Sequence, residues 1–246
     1  MEPLTFGIII PARYASTRFP GKPLSLIAGK LMIVRTVEAA LACNPTVGVA
    51  VATDDERIAD AVSHLVPVVM TRSDHQTGTD RIAEAYEKLQ WECDIVVNLQ
   101  GDEPFINSTQ VTDLVACFQS QSTDIATLKK KMGPLEELNN PNLVKVITDK
   151  AGFAMYFSRS VIPYNRGNTN IDYYRHIGMY AYRGKLLKRL SLLKNTILEE
   201  TEMLEQLRWL DFGYVIKVAE TDHEGPAVDT PEDLINAEKF YLDSSN

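Results

Sequence analysis

Short β-branched runs alternate with stretches of helical period along most of the first hundred residues, and this alternation is what most constrains the fold. Residues 6–10, 47–52, 66–70 and 95–99 read as strands whose two faces are both apolar. Strands of that kind belong to a parallel sheet covered by helices. Between them, residues 32–42, 56–64 and 81–89 repeat their apolar side chains at helical spacing. The expected architecture is α/β, with crossover helices on both faces of a mostly parallel sheet.

The later half is more mixed. Ser108 is a good N-cap for a helix running to about residue 119. Residues 144–148 and 153–157 flank Gly152 like two antiparallel strands joined by a turn. Residues 177–182 and 214–218 read as further strands, with a helix over 202–210. Thr230-Pro231-Glu232-Asp233 opens a last helix, with a cap, a proline at the first helical position and an acidic residue three beyond the cap. Residues 165–172, polar and containing Gly167, are expected to form a mobile loop. A chain of 246 residues, 45% hydrophobic and without a marked linker, suffices for a single domain over 1–246.

Charge and cysteines narrow the function classes. Twenty-five basic residues against 33 acidic ones leave a net charge of −8, which argues against a general nucleic-acid grip. Cys43, Cys93 and Cys117 lie far apart without CxxC or Cys/His metal spacing, so buried, reduced thiols are expected. No apolar run approaches the length of a membrane span and no leader pattern opens the chain. The expectation is a soluble, cytoplasmic protein with no membrane partner.

A local cation cluster stands out against the acidic background. The first strand runs into Pro11-Ala12-Arg13, and the loop continues through Arg18 to Gly21-Lys22-Pro23-Leu24. Such a loop lies at the C-terminal end of a parallel strand, the edge where open α/β sheets bind ligands. Arginines fork onto phosphate and a lysine serves as a mobile point charge, so a triphosphate would find its compensation here. The alternative is a solvated basic turn. The spacing is not GxxxxGK[ST], which excludes a Walker ATPase.

Carboxylates supply the complementary feature. Asp102 follows the fourth strand at the same sheet edge, and Asp229 precedes the last helix. A hard cation takes a few carboxylate oxygens and completes its shell with water and phosphate. On the residues alone, the position of Asp102 favours function over a simple turn start, Asp229 could equally assist the cap at Thr230, and Asp54 could contact ribose or metal-bound water or form a turn after the second strand. His75 reads as a hydrogen-bonding loop histidine. Glu202 and Glu205, three apart, read as one face of a single helix, with Glu202 solvated. Arg175 and His176 could form a strand-edge pair at a dimer contact; Arg183 and Arg208 read as structural.

Together these segments resemble a known family. Ile10-Pro-Ala-Arg-Tyr-Ala-Ser-Thr-Arg-Phe-Pro-Gly-Lys-Pro-Leu24 is similar, almost letter for letter, to the opening motif of cytidylyltransferases that activate 3-deoxy-D-manno-octulosonate (KDO). The resemblance continues through Val51-Ala-Thr-Asp54, Thr71-Arg-Ser-Asp-His-Gln-Thr-Gly-Thr79, Asn98-Leu-Gln-Gly-Asp-Glu-Pro104, Tyr156-Phe-Ser-Arg-Ser160, Arg175-His-Ile-Gly178, Glu202-Met-Leu-Glu-Gln-Leu-Arg208 and Val228-Asp-Thr-Pro-Glu-Asp233. It implies a Rossmann-like three-layer nucleotidyltransferase fold with a smaller mixed β region. It also implies transfer of the cytidylyl group of CTP to the anomeric hydroxyl of KDO, with another acid sugar (a sialic acid or amino-KDO) as the alternative acceptor.

By resemblance, Asp102 and Asp229 hold Mg²⁺, and Arg13 and Lys22 join them as the catalytic set. Pro11, Ala12, Arg13, Arg18, Lys22, Thr53, Asp54, Arg72, Thr77, Gly78 and Gln100 would contact the nucleotide. Gln100, Arg159, His176, Tyr180, Glu205 and Gln206 would grip the acid sugar. The resemblance further implies a homodimer serving lipopolysaccharide precursor synthesis, with sugar binding and dimerisation within 124–215. The chain departs from the family at Lys30-Leu31, where Lys-Pro is usual, and at Tyr164-Asn165, where Trp-Asp is usual. It also lacks the glycine usually found just ahead of Val228.

Overall fold

The computed structural model describes residues 3–15, 19–133, 138–223, 225–226, 228 and 230–244. The chain divides into two compact units, one of residues 1–111 and 224–246 and the other of 112–223.

The first unit is built on parallel strands. β1 (Phe6–Ala12) is followed by the short pair β2 (Leu26–Ile27) and β3 (Lys30–Leu31), helix α1 (Met32–Ala42), β4 (Gly48–Thr53), α2 (Glu56–Val62), β5 (Val68–Met70), α3 (Gly78–Leu89) and β6 (Ile95–Asn98). β1 pairs in parallel with β4 on one side and with β6 on the other, and β4 pairs with β5. The chain therefore steps outward from β1 through β4 to β5, then returns to β6 on the far side. Right-handed crossovers place α1 and α2 on one face of such a sheet and α3 on the other. Ile8, Ile9, Ile10, Val51, Val96 and Val97 are fully buried, as the double-sided covering requires.

After α4 (Ser108–Ala116) the second unit forms a mixed sheet. Its elements are β7 (Ile125–Lys131), β8 (Lys145–Thr148), β9 (Ala154–Ser158), β10 (Tyr174–Arg183), α5 (Leu187–Ser191), α6 (Ile197–Glu202), α7 (Glu205–Asp211) and β11 (Ile216–Glu220). β10 runs antiparallel to β7, and β11 parallel to it. β8 and β9 form the expected hairpin, closed where Gly152 at φ 78° donates to the Asp149 carbonyl. Tyr180 and Tyr182 each pack edge-to-face against Trp209 in the core of this unit. Helix α8 (Pro231–Ser244) returns to the first unit, where Ala237 joins Ile27, Met32 and Val228 in a small buried cluster.

Several expectations need correction. α3 begins three residues earlier than its apolar period suggests, because Thr77 and Asp80 form a reciprocal capping box. β7 escapes a pattern reading, because its last three residues are lysines and look like a polar linker. The helix read over 202–210 is two helices: Met203 stands at φ 53° as the left-handed end of α6, so Glu202 and Glu205 share no face. Glu202 is half-buried and accepts from the Ser158 hydroxyl (2.6 Å) and the Arg159 N–H (2.9 Å), so it is no solvated acid. β10 pairs β7 at Arg175 and His176 and meets β8 at Arg175, which removes the strand-edge reading of that pair. Of the cysteines only Cys117 is buried; all are free, and burial pushes Cys43 and Cys117 up to about 11. Residues 165–172 carry no helix or strand, and Asn165 closes the loop by pairing with the Thr169 backbone. Among the described residues no helix is long and apolar enough to cross a membrane.

Lys145, fully buried in the second unit, donates to the carbonyls of Asn140 (2.9 Å), Leu143 (2.7 Å) and Arg159 (2.8 Å). A buried cation is tolerable only with its donors satisfied. Lys145→Met should therefore strand three carbonyls and cost about 3 kcal/mol of stability, read as a lowered urea midpoint at unchanged m-value.

Candidate active site

Four strand ends of the first unit meet at one sheet edge. The paired register puts Ala12 beside Thr53 and Thr53 beside Met70, while Leu99 donates to the Ile9 carbonyl. The strand order reverses between β1 and β6, and that reversal opens a crevice at the carboxyl ends of the strands. A cleft of about 260 Å³ lies there. Pro11, Ala12, Arg13 and Lys22 line one side of it, His75 to Gly78 and Arg81 another, and Gln100 to Asp102 the floor.

Local backbone chemistry shapes each wall. Gly21 takes φ 73° and its N–H bonds the Tyr14 carbonyl at 2.9 Å, closing the cationic loop just before Lys22. A side chain at Gly21 would also meet the Tyr14 ring at 3.0 Å. Gly101 lets the turn after β6 lie against β1, for a Cβ there would sit 3.1 Å from the Pro11 carbonyl oxygen. The buried Thr36 hydroxyl lies within reach of two carbonyls, Met32 at 3.1 Å and Gly101 at 3.3 Å.

The polar centre is an ion pair. The Lys22 Nζ donates to the Asp102 carboxylate, with the lysine side chain 10% exposed and the aspartate 31%. The Asp102 carbonyl in turn accepts from the Val228 N–H at 3.4 Å. Among the described residues no three His, Cys, Asp or Glu gather as a metal-binding group. What the cleft offers a divalent cation is one hard, partly exposed carboxylate already facing a positive charge, with the residue before Asp229 bonded to its backbone. That donor set suits a cation completed by water and phosphate oxygens.

Of the residues expected to touch a nucleotide, Pro11, Ala12, Arg13, Lys22, Thr77, Gly78 and Gln100 line the cleft, as does Asp102. Arg18 and Asp229 lie outside the described residues. Thr53 is fully buried beneath the edge, and its carbonyl accepts from the Thr71 N–H at 2.8 Å. Asp54 faces Arg81 at 3.4 Å, and Arg72 is exposed and pairs with Asp74 at 3.2 Å. Sequence reasoning missed Arg81. It is 3% exposed, lines the cleft and donates to the Thr71 hydroxyl at 2.6 Å. A cation on the apolar side of α3, next to Ile82, was the available signal, obscured by placing the helix start at that residue.

The remaining expected residues sit in the second unit. The Arg159 guanidinium donates one N–H from each nitrogen to the carbonyls of Glu202 (2.7 Å), Pro141 (2.9 Å) and Met203 (3.4 Å). Glu205 accepts from Arg208 at 2.6 Å, and Gln206 is buried beside it on α7. His176 and Tyr180 lie on β10 with ring centres 5.4 Å apart. The Thr127 hydroxyl has one proton, and the Met179 carbonyl at 2.9 Å takes it. The same hydroxyl therefore accepts from His176 Nε2 at 2.9 Å, which assigns the Nε2–H tautomer. Burial drops the His176 pKa to about 3, so the ring is neutral and offers hydrogen bonds rather than charge.

Comparison with known proteins matches this geometry. The Cytidylyltransferase family model matches residues 7–218. The chain is 48% identical to a 3-deoxy-manno-octulosonate cytidylyltransferase of Bacteroides thetaiotaomicron, over 96% of this chain and 98% of that one. This chain is a member of the 3-deoxy-manno-octulosonate cytidylyltransferase family. A Parabacteroides distasonis member is 49% identical over 94% of this chain and 96% of its own. The solved CMP:2-keto-3-deoxy-manno-octonic acid synthetase complexed with CTP superposes with a TM-score of 0.92 at 41% identity, covering 98% of this chain and 99% of that one. The family's fold, a mostly parallel α/β sheet with a mixed β region, is the one described above.

The depressed His176 pKa has a pH consequence. An unfolded histidine titrates near 6.5, whereas the folded ring stays neutral to about 3. This contribution is whole above pH 6.5 and is lost as pH falls towards 3, with a slope of at most about 1.4 kcal/mol per pH unit. His176→Asn should flatten the acid limb of a plot of melting temperature against pH between 6.5 and 4.

Proposed function

We propose that this chain transfers the cytidylyl group of CTP to the anomeric hydroxyl of KDO, releasing pyrophosphate and forming CMP-KDO, with Mg²⁺ as its cofactor. The observation that carries this reading is the cleft at the β1/β6 reversal, where Lys22 and Asp102 meet in a chain that superposes on a CTP-bound synthetase along nearly its whole length. Arg13 and Lys22 would neutralise the triphosphate and the departing pyrophosphate, holding the α-phosphate in place for attack. Asp102, joined by Asp229, would hold the magnesium ion; the Val228 N–H on the Asp102 carbonyl supports that pairing. Bound there, the ion would supply positive charge to the α-phosphate and acidify the attacking hydroxyl.

His176, Tyr180, Glu205, Gln206 and Arg159 of the second unit would recognise the acid sugar. With His176 neutral, Arg159 would supply the positive charge among these residues and the others hydrogen bonds. The same family likeness supports a homodimer in the cytoplasm, supplying lipopolysaccharide precursors.

Pyrophosphate release from CTP, Mg²⁺ and a panel of acid sugars tests the assignment. KDO should be the preferred acceptor; preference for a sialic acid or amino-KDO would overturn the substrate choice, and silence with every sugar the activity itself. Lys22→Ala should lower turnover by about 10²-fold or more at saturating substrates. An unchanged rate would remove Lys22 from the catalytic set.

A further inference from the structure

The cleft wall formed by His75 to Gly78 is the end of the loop between β5 and α3. Its two ends are held independently of its middle. At the start, Thr71 bonds the Thr53 carbonyl and receives Arg81. At the finish, the Thr77–Asp80 capping box secures the helix entry, and Gly78 lies against Pro11, where an added Cβ would sit 3.4 Å from the ring. Among the described residues, one side chain of α3 holds the middle. Glu84, in the second turn of α3, accepts at Oε2 from the Arg72 N–H (3.1 Å) and contacts His75 Nε2 through the same oxygen. Its other oxygen pairs with Lys88 at 2.7 Å, and Lys88 is itself bonded to the Met70 carbonyl at 2.7 Å. Lys88 thus aims the carboxylate, and the carboxylate aims the loop.

We infer that Glu84 is a positioning residue for nucleotide binding, holding His75 and the wall it belongs to against the cleft. Glu84 touches no cleft space itself, since it is absent from the lining and its side chain is 17% exposed. His75 lines the cleft and its side chain is only 7% exposed, so without Glu84 a nearly buried ring nitrogen loses its partner and the wall is released. Burial works against the Glu84 carboxylate, yet Lys88, His75 and the Arg72 N–H together hold its pKa down to about 2, so it stays ionised and able to receive all three donors. The inference rests on the nucleotide occupying this cleft.

Steady-state kinetics with CTP and KDO separate the possibilities. Glu84→Ala should raise KM for CTP about tenfold while kcat stays within about twofold and KM for KDO is unchanged. Glu84→Gln keeps one acceptor oxygen for the Arg72 N–H and His75 but turns an NH2 towards Lys88, so it should recover part of the loss. Glu84→Asp, one methylene short, should behave like alanine. An unmoved KM for CTP in the alanine and aspartate variants overturns the inference, as does a parallel loss for both substrates that glutamine does not rescue. Should the alanine variant not fold, the contrast between glutamine and aspartate carries the same test. A wild-type chain inactive with CTP and KDO would instead overturn the functional reading beneath it.

Discussion

The cleft depends on parallel pairing of one strand with two neighbours. Because β1 is hydrogen-bonded to β4 and to β6, the chain must leave on one side and return on the other, and no crossover helix closes the crevice at that point. Segments distant in sequence then share one edge: the cationic loop after β1, the capped loop before α3, and the turn carrying Asp102. Two glycines permit the closeness. Gly101 brings the β6 turn within van der Waals contact of Pro11, and Gly21 turns the chain so that Lys22 meets Asp102.

The cleft is also where the chain departs from its own charge. A net charge of −8 repels a triphosphate at long range, so binding must come from a local field. Lys22 is nearly buried, which strengthens its interaction with any anion that replaces water around it. Arg81 sits deeper still and is balanced by Asp54. Ion pairs therefore organise the cleft before any ligand arrives, and Glu84 does the same for the loop opposite.

Legibility in the sequence followed the range of the physical signal. Helix α1 was readable to the residue, because its apolar period and its flanks coincide. The start of α3 was not, because a side-chain cap between Thr77 and Asp80, and no apolar period, begins it. The break at Met203 was hidden for a related reason: a methionine at positive φ gives no compositional sign, unlike glycine. β7 disguised its pairing behind three lysines, which a neighbouring strand accommodates through Tyr174, whose ring lies 4.0 Å from the Lys129 Nζ.

Alternating patterns and contiguous motifs determined, from sequence alone, the α/β class, the sheet edge that bears the cleft, and the family resemblance, since each is encoded in residues close together along the chain. Tertiary structure decided which expected residues share the cleft. It placed Arg81 and Glu84 among the supports of that cleft, set Thr53 and Asp54 beneath or beside it, and made His176 neutral. Those properties arise from burial and from which side chains tertiary packing brings together, and neither is written in a local pattern.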